Sequence, residues 1–354
     1  MTALHGDYAS AAVSRELATD LLCFPYMKRK FAILTSGGDA PGMNAAIRSI
    51  VRVACSQGHE VLGVNRGYQG LMAGDFRPMG PRDVSQILEK GGTVLRTARS
   101  QDFRSELGRL LATAALEREG VDTLFAIGGD GTLQGCVALG EHWSGQILGL
   151  PGTIDNDLWG TDFTIGFDTA VNTALNAIEK IRDTADSHER YFLVEVMGRH
   201  AGFIALEVAI TCGAEDFLVP EVPFDLKSLC EKLRAGKELG KTGSMLVVAE
   251  GAYAGGVHAL ARAMGDLSGD EFRICVLGHI QRGGSPTAAD RLLATRLGAY
   301  AVEAALAGER GKMVGESAGR PVLVELAHAY TRKKPLDPWN IRMAPCLSLA
   351  GALI

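Results

Sequence analysis

From Lys30 onward the chain alternates short apolar runs with helical stretches, and that alternation leaves few architectures open to it. Strands are expected over 31–35, 60–64, 123–127, 146–150, 191–197, 244–249 and 274–277. These runs are rich in Val, Ile and Leu with little polar alternation, as strands covered on both faces require. Helices are expected over 43–57, 104–119, 132–140, 167–187, 226–239 and 288–308. A β-α-β order of this kind builds doubly wound parallel α/β layers, which bind ligands beyond the carboxyl ends of their strands. The informative residues should therefore lie just after the strands.

Length and composition narrow the reading further. A chain of 354 residues is long enough for about two domains. The 36 basic and 41 acidic residues leave a net charge of −5, which argues against a nucleic-acid partner. With 47% hydrophobic and 22% charged residues, wholesale disorder is excluded. Glycine is in excess, at 44 residues, and is expected in loops where backbone approaches a ligand. The seven cysteines are odd in number and include no C-x-x-C pair, so a reduced, cytoplasmic protein fits better than a disulfide or zinc framework. The longest apolar run, 202–214, falls short of a membrane span and contains Glu207. Residues 1–26 carry Asp7, Glu16 and Asp20 without signal-peptide order. They read as a disordered extension or an over-long gene start, because Met27-Lys-Arg-Lys leads directly into a strand; a regulatory arm is the alternative.

Five loops carry chemistry. Thr35-Ser-Gly-Gly-Asp-Ala-Pro-Gly-Met-Asn44 and Ile127-Gly-Gly-Asp-Gly-Thr132 both join a strand to a helix, where glycines turn backbone N–H groups toward an anion. Asp130 in the second is a hard oxygen ligand suited to Mg²⁺ or its waters. Pro151-Gly-Thr-Ile-Asp-Asn-Asp157 places two carboxylates two residues apart, so that one accepts a proton and the other orients it or holds metal. Val196-Met-Gly-Arg-His200 offers Arg199 as a phosphate clamp; His200 reads as a packing or surface residue. Leu277-Gly-His-Ile-Gln-Arg-Gly-Gly-Ser285 sets His279 and Arg282 on one glycine-flanked anion loop. Arg96, Arg99 and Arg104 cluster beside Gly91-Gly-Thr93, where a phosphate-facing patch and a solvated face are equally open readings. Together these loops suit phosphoryl transfer between two phosphorylated molecules. Walker-A, protein-kinase and G-x-G-x-x-G fingerprints are all absent from the sequence.

In this order, from about residue 28 to about 308, the loops resemble the bacterial-type ATP-dependent 6-phosphofructokinase family. The long motifs Pro-Gly-Thr-Ile-Asp-Asn-Asp and Gly-His-Ile-Gln-Arg-Gly-Gly-Ser-Pro are its most specific marks. The resemblance implies two Rossmann-like domains with the active site in the cleft between them. It assigns 27–165 plus about 279–330 to ATP, and about 166–278 plus 331–354 to fructose 6-phosphate. The activity it implies moves the γ-phosphate of MgATP to the sugar's 1-hydroxyl. By the same resemblance Asp155 is the base, Asp157 supports it, Thr153 contacts the transferring group, and Arg99 and Arg199 neutralise its charge. Gly38, Tyr68, Arg99, Arg104, Gly129, Asp130, Gly131, Thr132 and Gly135 lie along ATP, with Asp130 serving Mg²⁺. Met197, Gly198, Arg199, Glu250, His279 and Arg282 join Thr153, Asp155 and Asp157 around the sugar phosphate. Arg190 and Arg273 match arginines contributed by a neighbouring subunit, which implies a homo-oligomer, a tetramer in the family.

Two further implications concern the donor and an effector. Pyrophosphate users of the family carry an Asp after Gly-Gly-Asp and a Lys after the Pro; here Gly131 and Gly152 stand there, so ATP is the expected donor. Arg48, Arg52, Arg182, Glu215 and Lys241 match a site for nucleoside diphosphate or phosphoenolpyruvate. Leu239 and Pro81 replace two of its arginines, so weakened or altered effector control is expected, and an unchanged response on restoring Arg at Leu239 would count against that. The competing readings are a pyrophosphate-dependent or other phosphosugar kinase, an NAD kinase sharing only Gly-Gly-Asp-Gly-Thr, and a catalytically inactive regulatory subunit. The last should have lost a catalytic carboxylate or arginine, and Asp130, Asp155, Asp157, Arg99 and Arg199 are all present.

Overall fold

The computed structural model describes residues 28–188, 190–241 and 243–347, with the side chains of 185–188 left aside. The extension read over 1–26 and the end of the segment 331–354 lie outside the described residues.

Two sheets organise the molecule. The larger runs β11-β10-β5-β4-β1-β2-β3. Its strands are β1 (Lys30–Thr35), β2 (Glu60–Val64), β3 (Phe76–Pro78), β4 (Thr123–Gly128), β5 (Gln146–Pro151), β10 (Lys312–Ser317) and β11 (Arg320–Glu325). The smaller runs β7-β8-β6-β9, from β6 (Tyr191–Val196), β7 (Asp216–Leu218), β8 (Ser244–Ala249) and β9 (Phe272–Val276). Strand β1, KFAILT, has five of its six residues buried, which is the two-sided cover that its unalternating sequence demands. Phe31 and Phe125 meet edge to face beneath the sheet at 5.5 Å.

The expected α/β architecture is present, with corrections at its edges. The smaller sheet is wholly parallel, whereas β3 and β11 pair antiparallel at the two margins of the larger one. The run expected as strand 274–277 begins two residues earlier, as β9. The helix expected from 104 becomes a 3₁₀ turn (Asp102–Arg104) followed by α3 (Glu106–Glu119), because Ser105 caps it by accepting from the Gly108 N–H at 3.1 Å. The apolar run 202–214 is the buried helix α6 (Phe203–Cys212), and among the described residues no helix is long and apolar enough to cross a membrane.

Chain direction fixes where a ligand fits. From β1 the chain winds outward through β2 and β3, then returns to β4 and β5 on the other side. That reversal opens a crevice between the loops after β1 and β4. In the smaller sheet the corresponding split lies between β6 and β9. The helices α1 (Met43–Ser56), α5 (Phe167–His188) and α9 (Ala288–Leu306) brace the layers. Helices α1 and α9 approach so closely that a Cβ on Gly298 would lie 2.8 Å from the Ala46 carbonyl oxygen.

Candidate active site

The two glycine-rich loops of the larger sheet interlock. The Ser36 N–H donates to the Ile127 carbonyl at 3.1 Å, and the Thr132 hydroxyl donates to the Ser36 carbonyl at 3.1 Å. Gly128 permits this, since a Cβ there would stand 2.3 Å from Thr132 Oγ1. Helix α4 (Asp130–Gly140) starts at Asp130, two residues earlier than expected, so its first residue offers a carboxylate at the crevice. Gln134 donates to Asp130 Oδ1 at 3.1 Å. Gly131 is exposed, and a Cβ there would meet nothing within 4 Å.

Tyr68, at the start of α2 (Gly67–Ala73), forms a buried wall beside this crevice. Its hydroxyl donates to the Thr132 carbonyl at 2.7 Å and its ring stacks on Phe103 at 4.0 Å. Gly135 makes room for that ring, 2.6 Å from where its own Cβ would be. Arg99 and Arg104 are exposed on the rim.

The loop after β5 delivers the paired carboxylates. Thr153 Oγ1 accepts from the Asp155 N–H at 3.2 Å, and the Thr164 hydroxyl donates to the Thr153 carbonyl at 2.6 Å. Asp155 is only 4% exposed, and its Oδ1 is buried without a hydrogen-bond partner. Burial pushes its pKa up, opposed by the Arg282 and Arg199 charges and reinforced by Glu250. Asp157 is pushed up to about 6 by burial and then by Asp155, with Asp130 adding to it. Between them Asn156 adopts a left-handed conformation, φ 53°.

The smaller sheet supplies cations from the opposite side. Gly198 follows β6 at φ 141°, a value open to glycine, and Arg199 follows at φ 53°. The Arg199 N–H donates to Glu250 Oε1 at 2.6 Å, and Arg199 Nε lies 3.9 Å from Asp155 Oδ2. His279 and Arg282 share the 3₁₀ turn Gly278–Arg282 after β9. Arg282 Nη1 donates to the Asp39 carbonyl at 3.1 Å, reaching the first glycine loop, and would lie 2.6 Å from a Cβ on Gly38. One sheet thus presents carboxylates and glycine loops, the other guanidinium groups, across one crevice.

Some expected residues stand apart. Arg190 precedes β6 and Arg273 lies at the start of β9, the end of the small sheet opposite to Arg199 and Arg282. A strand length, about 16 Å, separates them from the crevice of their own chain. Arg182 donates to the Cys212 carbonyl, and Glu215 pairs with Lys241 and accepts from the Met245 N–H. Arg48 and Arg52 sit on α1, and among the described residues no hydrogen bond or ion pair joins their side chains to that pair. Leu239 is 50% exposed and Pro81 is also exposed. His200 is exposed, as its surface reading expects.

Gly152 acts differently from its expected part. A Cβ there would point into the core, 2.9 Å from Ile127 Cγ2 and 3.0 Å from Met43 Cε, not into open crevice. Of the two glycines weighed for the donor, Gly131 alone faces free space. Three residues that the motifs did not single out also shape the site. Fully buried Gln281 accepts from the Met197 N–H at 2.9 Å and so ties the β9 turn to the β6 loop. Asn156 and Lys334 hold the carboxylate loop from behind. Their signal was position alone: Gln281 and Asn156 sit inside the motifs, and Lys334 has none.

The comparisons agree with this geometry. The phosphofructokinase family profile matches residues 30–305. The ATP-dependent 6-phosphofructokinase 1 of Thermus thermophilus is 55% identical over 321 residues, 91% of this chain and 100% of that one. The ATP-dependent 6-phosphofructokinase of Halothermothrix orenii is 46% identical over 331 residues, again 91% and 100%. The Saccharomyces cerevisiae phosphofructokinase structure superposes with a TM-score of 0.82 at 34% identity over 92% of this chain, which spans only 47% of the yeast chain. A pyrophosphate-dependent phosphofructokinase from Nitrosospira multiformis shares the fold, with a TM-score of 0.76 at 22% identity.

Proposed function

The chain belongs to the phosphofructokinase family, and on that premise we propose a residue-level account of its catalysis. It is an ATP-dependent 6-phosphofructokinase: it transfers a phosphoryl group from ATP to fructose 6-phosphate, a step of glycolysis. The observation that carries the account is the buried, unpartnered Asp155 Oδ1 beside Arg199. A carboxylate oxygen with no donor of its own is free to accept the proton of the sugar's 1-hydroxyl as that oxygen attacks the γ-phosphorus. Thr153 orders the loop beneath, and Asp157 stays close enough to modulate the base. Arg199 and Arg99 stabilise charge on the transferred group, and the product is fructose 1,6-bisphosphate.

The larger sheet, 27–165 with about 279–330, is assigned to the nucleotide. The segment of about 166–278 with 331–354 is assigned to the sugar phosphate. Interlocked glycine loops support the first assignment, and Arg199 with Glu250, at the ends of β6 and β8, supports the second. Mg²⁺ accompanies the nucleotide. Asp130 adds to the upward push on Asp157, so two carboxylates interact at one corner of the crevice. The described residues hold no group of three or more metal-type ligands, a donor set that fits a cation carried largely by phosphates and water. When bound, Mg²⁺ offsets charge on the phosphates. A cytoplasmic setting is supported by six free cysteines among the described residues.

A coupled assay for fructose 1,6-bisphosphate, run in parallel with MgATP and Mg-pyrophosphate, tests the donor. Turnover is expected with ATP alone, and comparable turnover with pyrophosphate would refute the assignment. A second expectation concerns pH. Since Asp157 titrates at about 6, kcat/KM should fall as pH drops through that value. The Asp157→Asn variant should lose or displace this limb. A wild-type profile flat down to pH about 5, a full unit below, would rule Asp157 out as the controlling group.

A further inference from the structure

Lys334 lies beyond every recognised motif, yet its ammonium group reaches the catalytic loop. Its Nζ donates to Asn156 Oδ1 at 2.9 Å and to the Asp162 carbonyl at 2.7 Å. Asn156 is the residue between Asp155 and Asp157, is 4% exposed, and holds a positive φ, a region in which asparagine is enriched. Its Oδ1 also accepts from the Thr164 N–H at 3.0 Å, and its amide reaches the Asp162 carbonyl at 3.4 Å. Lys334 Nζ sits 5.1 Å over the Phe203 ring, at the first turn of α6. The segment after β11 and α10 (Leu326–Thr331) thereby closes on the carboxylate loop.

Three acidic residues face this ammonium: Asp162 and Asp157 from the loop, and Glu207 from α6. Burial outweighs them and brings Lys334 down to about 8. Most surface lysines have neither this burial nor two fixed acceptors.

We infer that Lys334 is a positioning residue for phosphoryl transfer: it locks Asn156, and through it the relative placement of Asp155 and Asp157, and sets a positive charge behind the pair. The inference rests on the reading of Asp155 as base. It extends that reading by making the C-terminal segment part of the catalytic apparatus. Lys334 hydrogen-bonds Asn156 and Asp162, neither of which is assigned to a substrate, so the effect should fall on kcat and the pH profile more than on either KM.

Full-length Lys334→Met, Lys334→Gln and Lys334→Arg variants, compared with wild type across pH, test it. Lys334→Met should lower kcat by about 10- to 100-fold, the scale of a misplaced catalytic group, with both KM values within about threefold. Its acid limb should move to higher pH, because a cation that favours ionised Asp157 is gone. Lys334→Gln keeps a donor for Asn156 and loses the charge, so its kcat should lie between those of Lys334→Met and wild type, with the same shift in the limb. Lys334→Arg should restore both. In wild type kcat should decline as pH rises through about 8, and in Lys334→Arg that decline should vanish. Should Lys334→Met fail to fold, the Gln and Arg variants alone decide through the two limbs. Wild-type kcat and limbs in Lys334→Gln and Lys334→Met, or a kcat loss that arginine does not rescue, overturn the inference. Asp155→Asn in the same assay keeps the two readings apart. If that variant remains active the base assignment is at fault, whatever Lys334 does.

Discussion

Asp155→Asn is expected to lower kcat by about 10²- to 10⁴-fold, the range a general base contributes, while both KM values change little. Asp155 Oδ1 is buried without a hydrogen-bond partner, while the other oxygen pairs with Arg199 Nε at 3.9 Å and the Thr153 hydroxyl also favours the ionised form. Stability should move the other way. The folded-state pKa of Asp155 is raised by burial, so folding favours its protonated form. The ionised carboxylate therefore costs stability once pH exceeds its unfolded value of about 4, and increasingly as pH rises through the folded value. Asparagine removes that penalty, so the variant should melt at the same or a higher temperature at neutral pH. Thermal unfolding and steady-state kinetics on one preparation check both halves. Retention of more than about a tenth of kcat would fall outside what loss of a general base allows.

Replacing Arg190 and Arg273 together with serine is expected to raise the KM for fructose 6-phosphate by about 10- to 100-fold per arginine, since a charge-assisted contact is worth about 1.5–3 kcal/mol. Both arginines sit at the wrong end of β6 and β9 to serve their own crevice. We propose that they complete the site of an adjoining subunit in a homotetramer. Mixing is then diagnostic. Neither the double arginine variant nor Asp155→Asn should be efficient alone. Hybrids, formed by co-expression, contain some sites with an intact Asp155 from one subunit and intact arginines from the next. Activity should reappear in them. Simple averaging of the two parent activities would mean that each crevice is self-contained.

The sequence was most legible where a strand is buried on both faces, and least where an element is short or marginal. Strands β2 and β8 coincide with their expected bounds because each is a continuous apolar run, Val61–Val64 or Met245–Ala249, behind one polar first residue. Strands β3 and β7 have three residues each, too few for periodicity to register. The β10–β11 hairpin had a signal that went unused: Ala318 and Gly319 turn at φ 48° and 73°, a primed turn whose glycine was visible between two strand-like runs. Candidate site residues after strands fell together because strand ends converge on the crevice. Lys334 did not announce itself, because nothing local marks a lysine that acts across 178 residues of chain. The argument from Gly152 named the right residue and the wrong neighbour, since a motif gives identity but not the direction a side chain takes.

The contrast between Gly131 and Gly152 also constrains how such a chain can change through mutation. Position 131 opens on free space, so an aspartate can arrive there in one step without displacing anything. Position 152 is walled by Ile127 Cγ2 at 2.9 Å, Met43 Cε at 3.0 Å and the Gly128 backbone nitrogen at 3.2 Å. A lysine there needs Ile127 in β4 and Met43 in α1 to give way. A change of phosphoryl donor through these two positions therefore meets open space at one and the packed interior at the other.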